Sequence, residues 1–174
     1  MRILGIDPGF ERLGIAVLEK FKGEKKERVI FSECFKTSAK SDFSLRLNLI
    51  GEEIKKIIKE HKPEVLAIES LFLNTNHKTV MKVAEARGIM VYEASRAGLK
   101  IFEASPLQIK IATTGYGRAN KDQIKKMVEI LINNPLNNSK RGHKSLQRDA
   151  TSLGSDDELD AIAIALTAFA QMRP

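Results

Sequence analysis

Arg2-Ile3-Leu4-Gly5-Ile6-Asp7-Pro8-Gly9 decides the reading of the whole chain. An apolar run reaches Asp7 and the Pro8-Gly9 pair then stops it, so residues 2–7 are predicted as a short buried strand with a carboxylate at its end. The pattern returns at Val65-Leu66-Ala67-Ile68-Glu69, a second short buried strand closed by a carboxylate. Between the two, Leu13 to Leu18 and Arg28 to Phe35 read as strands separated by the charged turn Lys22-Gly23-Glu24-Lys25-Lys26. The chain therefore begins as an antiparallel meander.

Helices fill the remainder. Ser41 or Asp42 caps a helix whose apolar residues Phe43, Leu47, Ile50, Ile54, Ile57 and Ile58 recur at three- and four-residue steps, ending near Pro63. Residues from about Asn76 to Gly98 are helical and rich in small side chains (Ala84, Ala86, Gly88, Ala94, Ala97), which suits close helix packing, either inside the core or at a subunit interface. Lys100 to Glu103 is a fifth strand, and Ser105-Pro106 opens the next helix with a cap followed by proline. Gly115-Tyr116-Gly117 breaks that helix, and Asn120 to Ile132 forms a basic amphipathic one. Asn133 to Ser155 is polar, Asn-rich and basic without either period, and is read as a mobile loop. In the terminal helix Leu159, Ile162, Ala163, Leu166 and Ala170 define a buried stripe, behind a first turn carrying Asp156, Asp157, Glu158 and Asp160.

At 174 residues with 43% hydrophobic content, one domain (residues 1–174) with a sizeable core is expected, and a disordered chain is excluded. A net charge of +7 favours a polyanionic partner. Cys34 is the sole cysteine, which excludes an internal disulfide and a multi-cysteine zinc site and suits a reducing, cytoplasmic compartment; it is expected to be a small buried residue in a strand. The apolar run at the start is short and interrupted by Gly5, and no stretch approaches about 18 apolar residues, so neither a secretory leader nor a membrane span is expected.

If the first and fourth strands are parallel neighbours, Asp7 and Glu69 face one another at the sheet edge. Asp157 and Asp160, three apart on a helix, share a face. Such carboxylates, converging without arginine partners, repel one another unless divalent cations neutralise them, and hard oxygen ligands suit Mg²⁺ or Mn²⁺. In outline this is a two-metal phosphodiester-cleaving centre. Asp-x-x-Asp on a helix is common as a solvated face, and acidic residues also suit a helix N-terminus, so part of the cluster is open to a purely structural role.

Five spaced motifs decide between these readings. Ile3-Leu4-Gly5-Ile6-Asp7-Pro8-Gly9, Ala67-Ile68-Glu69 with Phe72 three further on, Ala86-Arg87-Gly88, Gly115-x-Gly117-x-Ala119-x-Lys121-x-Gln123 and Asp157-x-x-Asp160-Ala161 stand in the order and spacing of RuvC-type Holliday junction resolvases. The chain resembles that family over nearly its whole length. The resemblance implies an α/β, ribonuclease H-like fold with a mixed five-stranded sheet flanked by helices. It implies a homodimer, and Mg²⁺-dependent cutting of four-way DNA junctions on two strands of like polarity, in recombination and repair. Two ions per site are expected, Mn²⁺ being able to substitute, with a branch-migration translocase as a further partner and the nucleoid as the setting if the source is bacterial.

Residue by residue, the family's four acidic positions fall on Asp7, Glu69, Asp157 and Asp160, with Asp156 a rival for the third place because it lies four residues before Asp160. Lys110 and Lys121 match basic positions near the scissile strand. Phe72 matches an aromatic wedge that stacks on unpaired bases, although a lone Phe also suits a core. Arg87, followed by Gly88, fits interface packing better than catalysis. Leaving out the four site carboxylates raises the formal charge from +7 to +11, which suits a DNA-facing surface around an acidic pocket. The stretch 133–155 departs from the family, whose connection there is shorter; Lys140, Arg141 and Lys144 would either touch a junction arm or remain solvated. Two other readings stay open: a non-catalytic junction- or RNA-binding protein on the same fold, and a nuclease maturing structured RNA, whose opening Gly5-Ile6-Asp7-x-Gly9 with Arg12-x-Gly14-Ile15-Ala16 also resembles.

Overall fold

The computed structural model describes residues 1–24, 26–71, 77–133 and 154–172. Phe72, Lys140, Arg141 and Lys144, and most of the expected insertion at 133–155, lie outside the described residues.

The meander and the two carboxylate-ended strands form as the sequence predicts. Strands β1 (Arg2–Asp7), β2 (Arg12–Glu19) and β3 (Arg28–Lys36) are antiparallel neighbours, and β4 (Val65–Glu69) and β5 (Lys100–Ala104) extend the sheet in parallel, giving the order β3-β2-β1-β4-β5. Ile6 pairs with Ile68, so the chain leaves β1 and β4 at the same level and Asp7 emerges beside Glu69.

Side chains alternate across a strand, and here the two faces differ in kind. Leu4, Ile6, Leu13, Ile15, Val17, Leu66 and Ile68 face α1 (Phe43–His61) and α2 (His77–Arg96), meeting Ile50, Ile54, Ile57, Ala86, Met90 and Ala94. The opposite face carries Ile3, Ala16, Leu18, Val65 and Ala67, and packs on α5 (Asp156–Gln171), flanked by α3 (Pro106–Thr114) and α4 (Lys121–Asn133). Gly5 and Asp7 on β1, and Ala67 and Glu69 on β4, follow Ile3 and Val65 on this second face. The helix layer on that side therefore meets small residues first and carboxylates at the strand ends.

That smallness governs how closely α5 can lie. A Cβ on Gly5 would stand 2.3 Å from the Ala161 carbonyl oxygen, and one on Gly14 only 2.0 Å from that of Asp157. Gly14 is the register partner of Asp7, so the first turn of α5 is seated directly over the residue opposite the β1 carboxylate.

Several expectations need correction. The terminal helix is not buried along one stripe: Ala161, Ile164, Ala165, Thr167, Ala168 and Phe169 are buried as well, Leu166 is only half-buried and Ala170 is exposed. It lies across the sheet with α3 and α4 packed against it, so most of its circumference is covered. Cys34 is half-buried rather than enclosed, because β3 is an edge strand. The small residues of α2 divide between two sides, Ala86 and Ala94 entering the core while Gly88 is exposed, as is Ala97 just beyond the helix.

Replacing Gly14 by Ala should lift α5 and cost about 1–3 kcal/mol, the usual penalty of overpacking. Urea unfolding of Gly14→Ala checks this, and a midpoint equal to that of the parent protein would contradict the close approach.

Candidate active site

The cleft at the carboxyl ends of β1 and β4 is lined by Asp7, Glu69, Asp160, Lys110, Lys121 and Pro106, over a floor of Ile109, Ile124 and Ile164. Each polar group is placed by a separate local device. Asp7 and Glu69 come from adjacent strand ends. Lys110 sits in the second turn of α3, whose start is fixed by a capping box: Gln108 N donates to Ser105 Oγ at 3.2 Å and Ser105 N to Gln108 Oε1 at 2.8 Å. Lys121 opens α4 through the same reciprocal arrangement, Gln123 N to Asn120 Oδ1 and Asn120 N to Gln123 Oε1, both at 2.9 Å. In α5, Ser155 N donates to Glu158 Oε1 at 3.1 Å.

The first turn of α5 distributes its four acidic residues to different tasks. Glu158 is buried and structural: besides Ser155 N–H, it accepts Ser32 Oγ–H at 2.8 Å, tying the helix start to β3. Asp156 is exposed and turns to α4, 2.7 Å from Lys125 Nζ and 3.8 Å from Lys121 Nζ. The hydrogen bond from Lys125 is the chief cause that holds its carboxyl below the usual range. Asp157 turns toward β2 and β3, where Oδ2 accepts Arg12 Nε at 2.8 Å and Cys34 Sγ–H at 3.3 Å. Burial works against its ionisation, but these bonds and the Arg12 charge prevail and lower its pKa. Asp160 enters the cleft, 3.1 Å from Lys121 Nζ.

The structure thus brings Asp7, Glu69, Asp160, Lys110 and Lys121 to one cleft and leaves the Asp156 and Asp157 side chains at its margins. Burial, then the charges of Asp160, Glu69 and Asp157, push the Asp7 pKa up to about 7 against the opposing effect of Lys121. Burial and the Asp160 charge raise that of Glu69 as well. A carboxylate driven this far toward its neutral form marks a position short of positive charge, and a set of hard oxygen donors fits a divalent cation there. Among the described residues no three of these groups stand close enough to hold one ion as they are; Lys121 is paired with Asp160 and Arg12 with Asp157.

With this geometry in view, the relatives are informative. Residues 3–168 match the family described as crossover junction endodeoxyribonuclease RuvC. The chain belongs to the RuvC family. It is 44% identical over 133 residues to the RuvC of Caldanaerobacter subterraneus, covering 76% of this chain and 79% of that one. Against the RuvC of Desulfitobacterium hafniense it is 39% identical over 166 residues, 95% of this chain and 90% of the relative. Thermus thermophilus RuvC, solved in complex with Holliday junction substrate, superposes with a TM-score of 0.79 at 30% identity, over 99% of this chain and 96% of that one. The fold is accordingly ribonuclease H-like, as the motifs implied.

Within this RuvC fold, three functional contacts escaped sequence reasoning. Arg12 is the partner of Asp157, and its only signal was its place at the start of β2, just past the turn that follows Asp7. Lys125 holds Asp156 and read as one more lysine of a basic helix. Arg87, expected to pack at an interface, braces the site through contacts that its sequence position does not signal: Nε donates to the Glu69 carbonyl at 3.2 Å and Nη2 lies 2.7 Å from Glu103 Oε2.

The raised Asp7 pKa carries a sign for stability. A carboxyl near 7 when folded and about 3.9 when unfolded costs the metal-free protein stability as pH climbs through that interval. Asp7→Asn should therefore melt higher than the parent above pH 7 without divalent ions, by about 1–3 kcal/mol, the difference vanishing toward pH 4. Melting temperatures across pH 4–8 in a chelator check this, and a variant that melts lower than the parent at pH 8 would contradict it.

Proposed function

We propose that this chain resolves four-way DNA junctions as a divalent-metal-dependent crossover junction endodeoxyribonuclease. The observation that supports it most is the cleft itself: Asp7 and Glu69 at the ends of adjacent parallel strands, Asp160 above them and two lysines on the rim, in a member of the RuvC family. The Thermus relative, 30% identical, is a Holliday junction complex, which sets the substrate class. The RNA-processing and non-catalytic alternatives are not favoured.

Asp7, Glu69, Asp157 and Asp160 would hold two Mg²⁺ ions, or Mn²⁺ in their place. When bound, these supply activation of the attacking water and stabilisation of the departing 3′ oxygen. Asp7 is the central ligand in this reading, since its strand end lies between β4 and the start of α5. Lys121, released from Asp160, and Lys110 would then turn to the scissile phosphate, holding it in place and absorbing charge that develops in the transition state. Asp156 stays with Lys125 and is the lesser candidate for the third position.

Cutting two strands symmetrically calls for two sites, and a homodimer supplies them. The outer side of α2 presents Met81, Glu85, Gly88 and Tyr92, one face at helical spacing with Met81 63% and Tyr92 57% exposed. A second copy seated on this face would cover both. The reading extends to a branch-migration translocase that brings the crossover to a cleavable position, and to a place with the nucleoid in the cytoplasm. No helix among the described residues is long and apolar enough to cross a membrane.

Asp7→Asn tests the reading directly. Junction cleavage should fall well beyond tenfold, because losing a metal ligand costs several kcal/mol, while gel shifts show junction binding retained. Retention of more than about a tenth of the parent rate would overturn the assignment. For the dimer, Gly88→Glu is informative because a Cβ there meets nothing within 4 Å, so the subunit fold is spared. Light scattering should give the monomer mass for the variant and twice that for the parent.

A further inference from the structure

Of the four carboxylates, Asp157 alone is held outside the cleft by a guanidinium. Arg12 directs two donors onto one oxygen, Nε at 2.8 Å and Nη2 at 2.5 Å from Oδ2, and Cys34 Sγ–H fills the same oxygen at 3.3 Å. Arg12 makes no other ion pair among the described residues, and its side chain is half exposed. The backbone of Asp157 has no comparable freedom, because its carbonyl is pressed onto Gly14. Only the side chain can be redirected.

Asp160 is held differently. Its partner Lys121 reaches it with one ammonium from a flexible, exposed stem. A lysine is a mobile point charge, whereas a guanidinium is permanently charged and presents its donors as a fixed fork, so it is the harder of the two to dislodge. Asp7 and Glu69 have no ion pair at all among the described residues. The carboxylates thus differ in readiness: Asp7 and Glu69 are open, Asp160 is weakly held and Asp157 is firmly held.

We propose that Arg12 is a displaceable counter-cation for Asp157, a positioning residue that competes with the second divalent ion and makes the site load in two unequal steps. The inference rests on the metal-dependent reading above. Asp7 and Glu69 would hold the first ion, joined by Asp160 once it is released from Lys121. The second requires Asp157 to leave Arg12 and Cys34 and turn into the cleft, so its affinity is reduced by whatever the Arg12 pair is worth. No proton is gained or lost in the exchange, since both partners are already ionised.

Calorimetric titration of the full chain with Mn²⁺, without DNA, tests this. The parent should bind two ions of unequal affinity, and Asp157→Asn should lose the weaker. Arg12→Ala should tighten the weaker ion about three- to tenfold, the range expected when a two-donor ion pair is removed, and leave the tighter within twofold. Arg12→Lys, with one donor, should fall between. Against an Asp157→Asn background, Arg12→Ala should change nothing. A weaker ion unaffected or loosened by Arg12→Ala overturns the proposal, the latter because Arg12 would then be preparing Asp157 for the ion. Equal tightening of both ions, persisting in the Asp157→Asn background, overturns it in favour of a general field effect. A parent protein that binds no Mn²⁺ would sink the metal-dependent reading itself, and this inference with it; one that binds Mn²⁺ normally while Arg12→Ala is silent sinks this inference alone.

Discussion

Everything at the active end of this molecule depends on how closely one helix can lie on the sheet. The main chain of α5 rests on Gly5 and Gly14, where carbonyl oxygens of Ala161 and Asp157 occupy the space that a Cβ would need. Such contact is possible only where two adjacent strands offer no side chain at the crossing. Seated there, α5 delivers Asp160 into the cleft between Asp7 and Glu69. A helix lifted by even one methyl group would carry Asp160 and the Asp157 backbone with it. Fold stability and site geometry are therefore set by the same two glycines.

The electrostatics follow from that seating. Close approach buries Asp7 and gathers carboxylates around it, and burial first, then the charges of its neighbours, push its pKa up to about 7. The protein moderates this effect with its own cations, Lys121 on Asp160 and Arg12 on Asp157, and in the proposed reading these are the groups a divalent ion would displace. Their placement is not left to flexible loops. Capping boxes at Ser105 and Asn120 fix the starts of the helices that carry Lys110 and Lys121, and the Ser155–Glu158 contact does the same for α5. Arg87 holds the Glu69 main chain from the side.

Most of the architecture was legible in the sequence because it is written in short-range signals. Short apolar runs and turn residues marked five strands, with Pro8-Gly9 stopping the first and a carboxylate, Asp7 or Glu69, closing two of them. Capping residues located the starts of α1 and α3 to within a residue or so. The small residues opposite α5 were visible, but their consequence was not, since closeness of packing is a relation between Gly5, Gly14 and a helix about 150 residues away. For the same reason α5 read as amphipathic although most of its surface is covered. At the site, family motifs selected Asp7, Glu69 and Asp160 together with both lysines, all of which meet in the cleft. What they could not show is that Asp157 and Asp156 are paired elsewhere, because Arg12 and Lys125 are brought to them by tertiary structure alone.

The central claim is that this seated helix and two strand ends compose a junction-cleaving centre. Its most direct measurement is cleavage of a four-way DNA junction in Mg²⁺, with each of the four strands labelled in turn and the cut positions mapped. The account predicts paired cuts on two strands of like polarity, at equivalent positions on either side of the crossover, and none when a chelator is present. Cuts scattered over all four strands, or an intact junction under conditions where structured RNA is cleaved, would contradict it.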